Sequence, residues 1–146
     1  MRLRIIISTL FIIVVGFLSA QNQINWTSFD DINDSLRKEA KPVLVFIHTD
    51  WCKYCKMQEN TTFKDVEVVQ ELNNFYYCIR LDAEVSDSIF FLGRVYDNSL
   101  NSYHELANFL GKINGKLSFP TTVVLDASLQ LTERIIGLAK RENFLK

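Results

Sequence analysis

Residues 43–59 of the chain read VLVFIHTDWCKYCKMQE, an apolar run followed at once by two cysteines that lie three positions apart. The run from Val43 to Ile47 is continuous and rich in β-branched residues, which is typical of a strand covered on both faces. Cys52 then opens a polar segment of helical character that reaches Asn60. The stretch therefore predicts a buried strand that leads directly into a helix beginning at a cysteine pair.

The spacing of the two cysteines indicates redox chemistry. Side chains at i and i+3 on a helix lie about 5–6 Å apart, which fits the separation that a disulfide demands. The free N–H groups and the positive dipole end of a helix N-terminus favour thiolate over thiol, and Lys53 and Lys56 add positive potential. We therefore expect Cys52 to be the nucleophile with a lowered pKa. Cys55, one turn deeper, is placed to attack a mixed disulfide formed by Cys52 and to release the product.

Helical and strand patterns alternate along the rest of the chain. Periodicity and turn residues predict helices at about 29–40 and 65–73, strands at 75–81 and 121–125, helical pieces at 89–96 and 103–110, a hairpin partner strand at 129–136 and a short helix at the end of the chain. This order is typical of an α/β domain with a mixed sheet.

The composition limits the class of protein. The chain has 146 residues, of which 48% are hydrophobic and 23% charged, as expected for one globular domain with a real core. Sixteen Lys and Arg residues against 17 Asp and Glu residues give a formal net charge of -1, so no basic excess indicates nucleic-acid binding. Three cysteines are too few for a disulfide-stapled miniprotein, but they supply one redox pair and one further thiol.

The N-terminus has the pattern of a secretory signal peptide. Two arginines precede an apolar run, Ile5–Leu18, and small residues follow it, so we expect cleavage after Ala20. An uncleaved membrane anchor is the alternative. On this interpretation residues 1–20 are the signal peptide and residues 21–146 the functional domain. The expected location is the periplasm of a Gram-negative bacterium, where disulfides persist.

The order of strand, Trp51-Cys52-x-x-Cys55-Lys56 and helix resembles the thioredoxin-like superfamily. The resemblance implies a thioredoxin-like fold, in which helices flank a central mixed β-sheet. The chain is similar in particular to a secreted and periplasmic branch that includes the C-terminal domain of the transmembrane thiol:disulfide interchange reductase. That branch carries an acid at the position of Glu59. The resemblance implies a redox-active Cys52–Cys55 disulfide in a monomer that uses no cofactor and no metal.

A second motif supports the same resemblance. Phe119-Pro120-Thr121, just before the predicted hairpin, is similar to the cis-proline loop that faces the cysteine pair in this superfamily. It implies that these three residues and Trp51 bind the extended backbone of a substrate beside Cys52. The expected function is thiol:disulfide exchange with protein or peptide disulfides and dithiols. Of the possible directions we favour reduction of the substrate, with electrons supplied by a membrane partner. A disulfide oxidase or isomerase, and a binding or adaptor module without turnover, are the alternatives.

The chain also departs from the superfamily pattern. Plain thioredoxins carry a buried acid six positions before the first cysteine, and here that position is Phe46. Glu59 shares a helix face with both cysteines, so we expect it to handle the proton of Cys55, with an exposed Glu59 bonded to a lysine as the alternative. The residues between the cysteines are Lys53-Tyr54 and not the Gly-Pro of thioredoxins or the Gly-His of disulfide isomerases. The redox potentials of those proteins therefore do not apply to this chain. Residues 86–104 are interpreted as an insertion.

Simpler roles remain open for the cysteines and histidines. The Cys52–Cys55 pair has two alternatives, a static disulfide and half of a zinc site. A four-ligand zinc site would also need Cys78 and either His48 or His104. Cys78 lies inside an apolar run and is expected to be a buried core residue. His48 either lines the site or simply ends its strand.

Overall fold

The computed structural model describes residues 23–98 and 102–145. Its elements, in chain order, are α1 (Phe29–Lys38), β1 (Val43–His48), α2 (Lys53–Asn60), a 3₁₀ turn (Thr62–Lys64), α3 (Val66–Phe75), β2 (Tyr77–Asp82), β3 (Ile89–Phe91), β4 (Arg94–Tyr96), α4 (Glu105–Gly111), β5 (Thr121–Leu125), β6 (Leu131–Ile136) and a second 3₁₀ turn (Arg141–Asn143). The predicted signal peptide, residues 1–20, lies outside these residues. Among the helices of the described ranges, none is long and apolar enough to cross a membrane.

The centre of the fold is a four-stranded mixed sheet in the order β2-β1-β5-β6. β1 runs parallel to β2 and antiparallel to β5, and β5 and β6 form an antiparallel pair. Side chains of β1 are buried from Val43 to Ile47, as the continuous apolar run predicts. Helices flank the sheet, so the predicted α/β class with a central mixed sheet is confirmed.

β1 supplies both halves of the core because successive strand side chains point to opposite faces. Val45 and Ile47 pack with residues of α1, α4 and the β3–β4 hairpin on one face. Leu44 and Phe46 pack with residues of α2 and α3 on the other face, together with both cysteines of the motif. The cysteine pair and the β3–β4 hairpin are therefore placed in different layers of the molecule.

The predicted helical piece at 89–96 is wrong, because this segment is the β3–β4 hairpin. Ile89 and Tyr96 are register partners and are buried, as is Phe91. Buried and exposed residues alternate along β3, which is the period of a strand and not of a helix. The turn at Leu92 and Gly93 has φ values of 52° and 78°, a left-handed conformation that glycine adopts without strain.

The remaining boundaries follow the sequence patterns to within a few residues. Asp65 lies just before α3 and not inside it, since its carboxylate accepts the N–H groups of Glu67 and Val68 as a helix cap. The predicted helix at 103–110 is confirmed as α4. The predicted short closing helix is a single 3₁₀ turn, Arg141–Asn143.

The hairpin gives a test of the fold with a neighbouring control. Phe91 is fully buried in the core, whereas Phe90 beside it is 52% exposed. We expect Phe91→Ala to lower the free energy of unfolding by about 3–5 kcal/mol. Phe90→Ala should change it by less than about 0.5 kcal/mol. Urea unfolding of both variants measures the difference, and equal losses would contradict the placement of Phe91 in the core.

Candidate redox-active site

Cys52 and Cys55 form a disulfide at the point where β1 leads into α2, with their Cα atoms 5.2 Å apart. Cys52 caps the helix, and the N–H of Cys55 donates a hydrogen bond to its Sγ atom over 3.0 Å. Both side chains are buried, with 4% and 2% of their surface exposed. The helix N-terminus thus directs one of its free N–H groups at the Cys52 sulfur, an arrangement that favours negative charge on that atom.

Trp51 lies at the exposed rim of this disulfide. Its indole N–H donates to Oε1 of Glu84 over 3.0 Å. Its ring stands edge-on to Phe119, with centroids 5.8 Å apart and planes at 90°. On the other side, the Phe119 ring meets Tyr103 edge-on at 4.9 Å. Two of the predicted substrate-binding residues are therefore in direct contact, and Tyr103 extends this aromatic row.

The Phe119-Pro120-Thr121 loop lies at the same end of the sheet as the cysteine turn. β1 and β5 are antiparallel with Ile47 opposite Thr121, so the end of one strand adjoins the start of the other. The Phe119–Pro120 peptide bond is cis. The Thr121 hydroxyl donates to the Ser118 carbonyl over 2.7 Å. These contacts hold a short backbone segment beside the redox turn.

Glu59 is held on the side of β2. Its carboxylate forms an ion pair with Arg80, and the two side chains are 27% and 43% exposed. An arginine thus takes the place of the lysine considered as the alternative partner. The proton-handling role of Glu59 stays a prediction, because no contact between Glu59 and Cys55 is seen in the described residues.

Gln58 is a site residue that sequence reasoning missed. Its side chain is fully buried, donates to the Thr122 hydroxyl over 3.2 Å and accepts the N–H of Ala139 over 2.8 Å. It therefore ties α2 to β5 and to the segment after β6. The available signal was its spacing of three from Cys55, which puts both side chains on the inward face of α2.

Two aromatic side chains occupy the sheet face beneath the disulfide. Phe46 is fully buried in the same core cluster as the two cysteines. His48, two residues on, stacks on Phe46 with centroids 5.6 Å apart. Burial, and then the neighbouring Arg80 guanidinium, lowers the pKa of His48 from its ordinary value. A neutral imidazole is therefore favoured at this position.

The third cysteine is a core residue, as the sequence indicates. Cys78 is free and buried, and burial raises the pKa of its thiol to about 12. His104 is occupied elsewhere, because its Nδ1 atom accepts the N–H of Leu106 at the start of α4 over 3.2 Å. Within residues 23–98 and 102–145 no three His, Cys, Asp or Glu side chains come together as metal ligands.

A disulfide at the start of the helix that follows the central strand of such a sheet defines a thioredoxin-fold protein with a Cys-x-x-Cys site. A family model described as thioredoxin-like matches residues 25–127, and the chain belongs to that family.

Comparison with known proteins gives the same fold. The thiol:disulfide interchange protein DsbD of Campylobacter jejuni strain RM1221 is 25% identical over 61 residues, which are 42% of this chain and 11% of that protein. The chain thus spans about a tenth of the length of the curated relatives it matches. A thioredoxin from Thermus thermophilus superposes with a TM-score of 0.59 at 18% identity and covers 84% of this chain and 82% of its own. A structure named DsbH oxidoreductase gives a TM-score of 0.54 at 17% identity, with 78% and 73% covered.

The environment of His48 predicts a pH dependence. Because its pKa is lowered from the ordinary 6.5, the unfolded chain binds this proton more readily than the folded one. The free energy of unfolding should therefore fall as the pH drops below about 6.5 and stop falling below the folded-state pKa. His48→Gln should remove this contribution. An NMR titration of the His48 ring measures the shift directly, and a midpoint at or above 6.5 would contradict it.

Proposed function

We propose that this protein is a thiol:disulfide oxidoreductase that works by exchange at Cys52 and Cys55. The observation that carries the proposal is the buried disulfide whose Cys52 sulfur accepts a helix N-terminal N–H. The matched relative named as a thiol:disulfide interchange protein supports the same class of reaction.

In the reductive direction the reaction begins with the dithiol form. The Cys52 thiolate attacks one sulfur of a substrate disulfide, a mixed disulfide forms, and the other substrate sulfur leaves as a thiolate that takes up a proton. Cys55 then gives its proton to a base and attacks the Cys52 sulfur. This step forms the Cys52–Cys55 disulfide and releases the second substrate thiolate. Two electrons and two protons pass to the substrate, and an external dithiol must restore the reduced pair.

The substrate lies against Trp51 and Phe119 beside the cysteine turn, and the buried Pro120 and Thr121 shape this groove from beneath. Support for this comes from the ring contact of Trp51 with Phe119 and from the position of the loop beside the redox turn. An extended segment of a protein or peptide can pair with exposed main-chain groups of such a loop as an added strand. Its sulfur then reaches Cys52, which precedes α2, before it reaches Cys55, which lies one turn deeper.

Within this class we favour a reductase of the cell envelope. The predicted signal peptide, residues 1–20, would export residues 21–146 as a periplasmic monomer, and a membrane partner would supply the electrons. The Lys53-Tyr54 pair differs from the dipeptides of the thioredoxins and the disulfide isomerases, so the direction of electron flow has to be measured. The equilibrium of the Cys52–Cys55 pair with a glutathione buffer separates a reductase from an oxidase or isomerase, because their potentials lie far apart.

The roles of the two cysteines are tested by single substitutions. We expect Cys55→Ser to accumulate mixed disulfides with substrate proteins, because the resolving thiol is gone while the attacking one remains. Cys52→Ser should trap none and should not reduce insulin in the presence of dithiothreitol. Non-reducing gels of samples with alkylated thiols detect the mixed disulfides, and the insulin assay measures reduction. Insulin reduction by Cys52→Ser would refute the assignment, and an inactive wild-type protein would favour the adaptor alternative.

The role of Glu59 has a separate test. If its carboxyl carries the proton of Cys55, Glu59→Gln should slow resolution near neutral pH and remove one step from its pH profile, while attack by Cys52 changes little. Stopped-flow measurement of the two steps shows which one responds. Glu67→Gln is the control, because it also breaks a surface ion pair with an arginine, Arg141. Wild-type rates and profiles in Glu59→Gln would reduce Glu59 to a partner of Arg80.

A further inference from the structure

Large apolar side chains are exposed around the buried disulfide. Trp51, Tyr54 and Met57 have 59%, 61% and 46% of their surface exposed. Tyr54 and Met57 lie three positions apart on one face of α2, and Trp51 precedes that helix. An apolar patch next to a functional site is typical of a surface that a partner covers. The patch alone does not say which partner.

The charges on α2 are arranged against the preference of the helix itself. Its first turn contains no acidic residue, whereas Lys53 and Lys56 lie in its first four positions and are exposed. Cations near a helix N-terminus are disfavoured by the helix dipole. In the ranges 23–98 and 102–145, neither lysine takes part in an ion pair. Their positive potential favours the Cys52 thiolate in the reduced protein, and both ammonium groups stay available to a substrate.

A carboxylate is held directly at Trp51. Glu84 accepts the indole N–H of Trp51, and its own N–H donates to the Asp82 carboxylate over 2.9 Å. The neighbouring Ala83 packs in the core layer of α4 and the β3–β4 hairpin, which lies across the sheet from α2. Trp51 is therefore bonded to a carboxylate of the β2–β3 connection, while two exposed lysines follow it along the chain on α2.

We propose that this groove is charge-polarised and selects an extended protein segment of matching polarity. The segment carries an acidic residue on the α2 side of its reacting cysteine, facing Lys53 and Lys56, and a basic residue on the Glu84 side. The inference rests on the proposed function, because it names the class of substrate for that same site. Each exposed charge pair of this kind changes affinity by about two- to fivefold and is screened by salt.

The test uses three peptides, each with one central cysteine in a mixed disulfide with 2-mercaptoethanol. The first has Asp before and Lys after the cysteine, the second has the two charges exchanged, and the third has Asn and Gln in their places. The first two share composition and net charge, so only the order differs. The reduced wild-type protein should prefer one order by about three- to tenfold in kcat/KM. The preference should shrink toward one in about 0.5 M salt.

Substitutions then test which charged residues of the protein cause the preference for one peptide order. Lys56→Gln and Glu84→Gln should each reduce it, and the double variant should abolish it, with every rate divided by that of the neutral peptide. Glutamine at position 84 can still accept the Trp51 hydrogen bond, so only the charge is removed. Asp50→Asn is the control, because Asp50 is an exposed acid in the turn before Cys52.

The outcomes separate this inference from the proposed function. Equal rates of reduction for the two charged peptides, or a preference that survives in the double variant, would contradict the proposal of a charge-polarised groove. Neither result would contradict the proposed oxidoreductase activity. Loss of the preference in Asp50→Asn but not in Glu84→Gln would overturn the assignment to Glu84. Failure of the wild-type protein to reduce even the neutral peptide would remove the proposed function and this inference with it.

Discussion

β1 is buried between two core layers, and this burial sets the positions of the elements around it. Each face of this strand closes one half of the core, so the strand cannot shift its register without exposing apolar residues on both sides. Its fixed carboxyl end determines where the chain leaves the sheet and where α2 begins. Cys52 is consequently held as a helix cap, with the N–H of Cys55 directed at its sulfur.

The redox site is built from local geometry and braced by distant contacts. Gln58 connects α2 to β5 and to the chain after β6, so the helix that carries Cys55 cannot move independently of the sheet. The Phe46–His48 stack fills the sheet face beneath the disulfide. Glu59, the acid on α2, is paired with Arg80.

The segment between β2 and α4 contributes contacts to both aromatic residues of the groove, Trp51 and Phe119. Its β3–β4 hairpin is part of the core, and its two ends reach the redox site through Glu84 on Trp51 and Tyr103 on Phe119. A short bond from the N–H of His104 to the Ala83 carbonyl, 2.7 Å long, joins those ends. Tyr103, inside the predicted insertion at 86–104, and Glu84, just before it, thus border the proposed substrate groove.

Features that depend on neighbours along the chain could be predicted from the sequence. The apolar run of β1, the cysteine spacing and the Phe119-Pro120-Thr121 motif each report a local pattern, and from them the α/β fold and the disulfide could be predicted. Tertiary structure decided the rest. Residues 89–96 form a hairpin because their alternate side chains find a core to fill, and Glu59 faces Arg80 because β2 runs beside β1. Such partners lie far apart in sequence, and no local pattern identifies them.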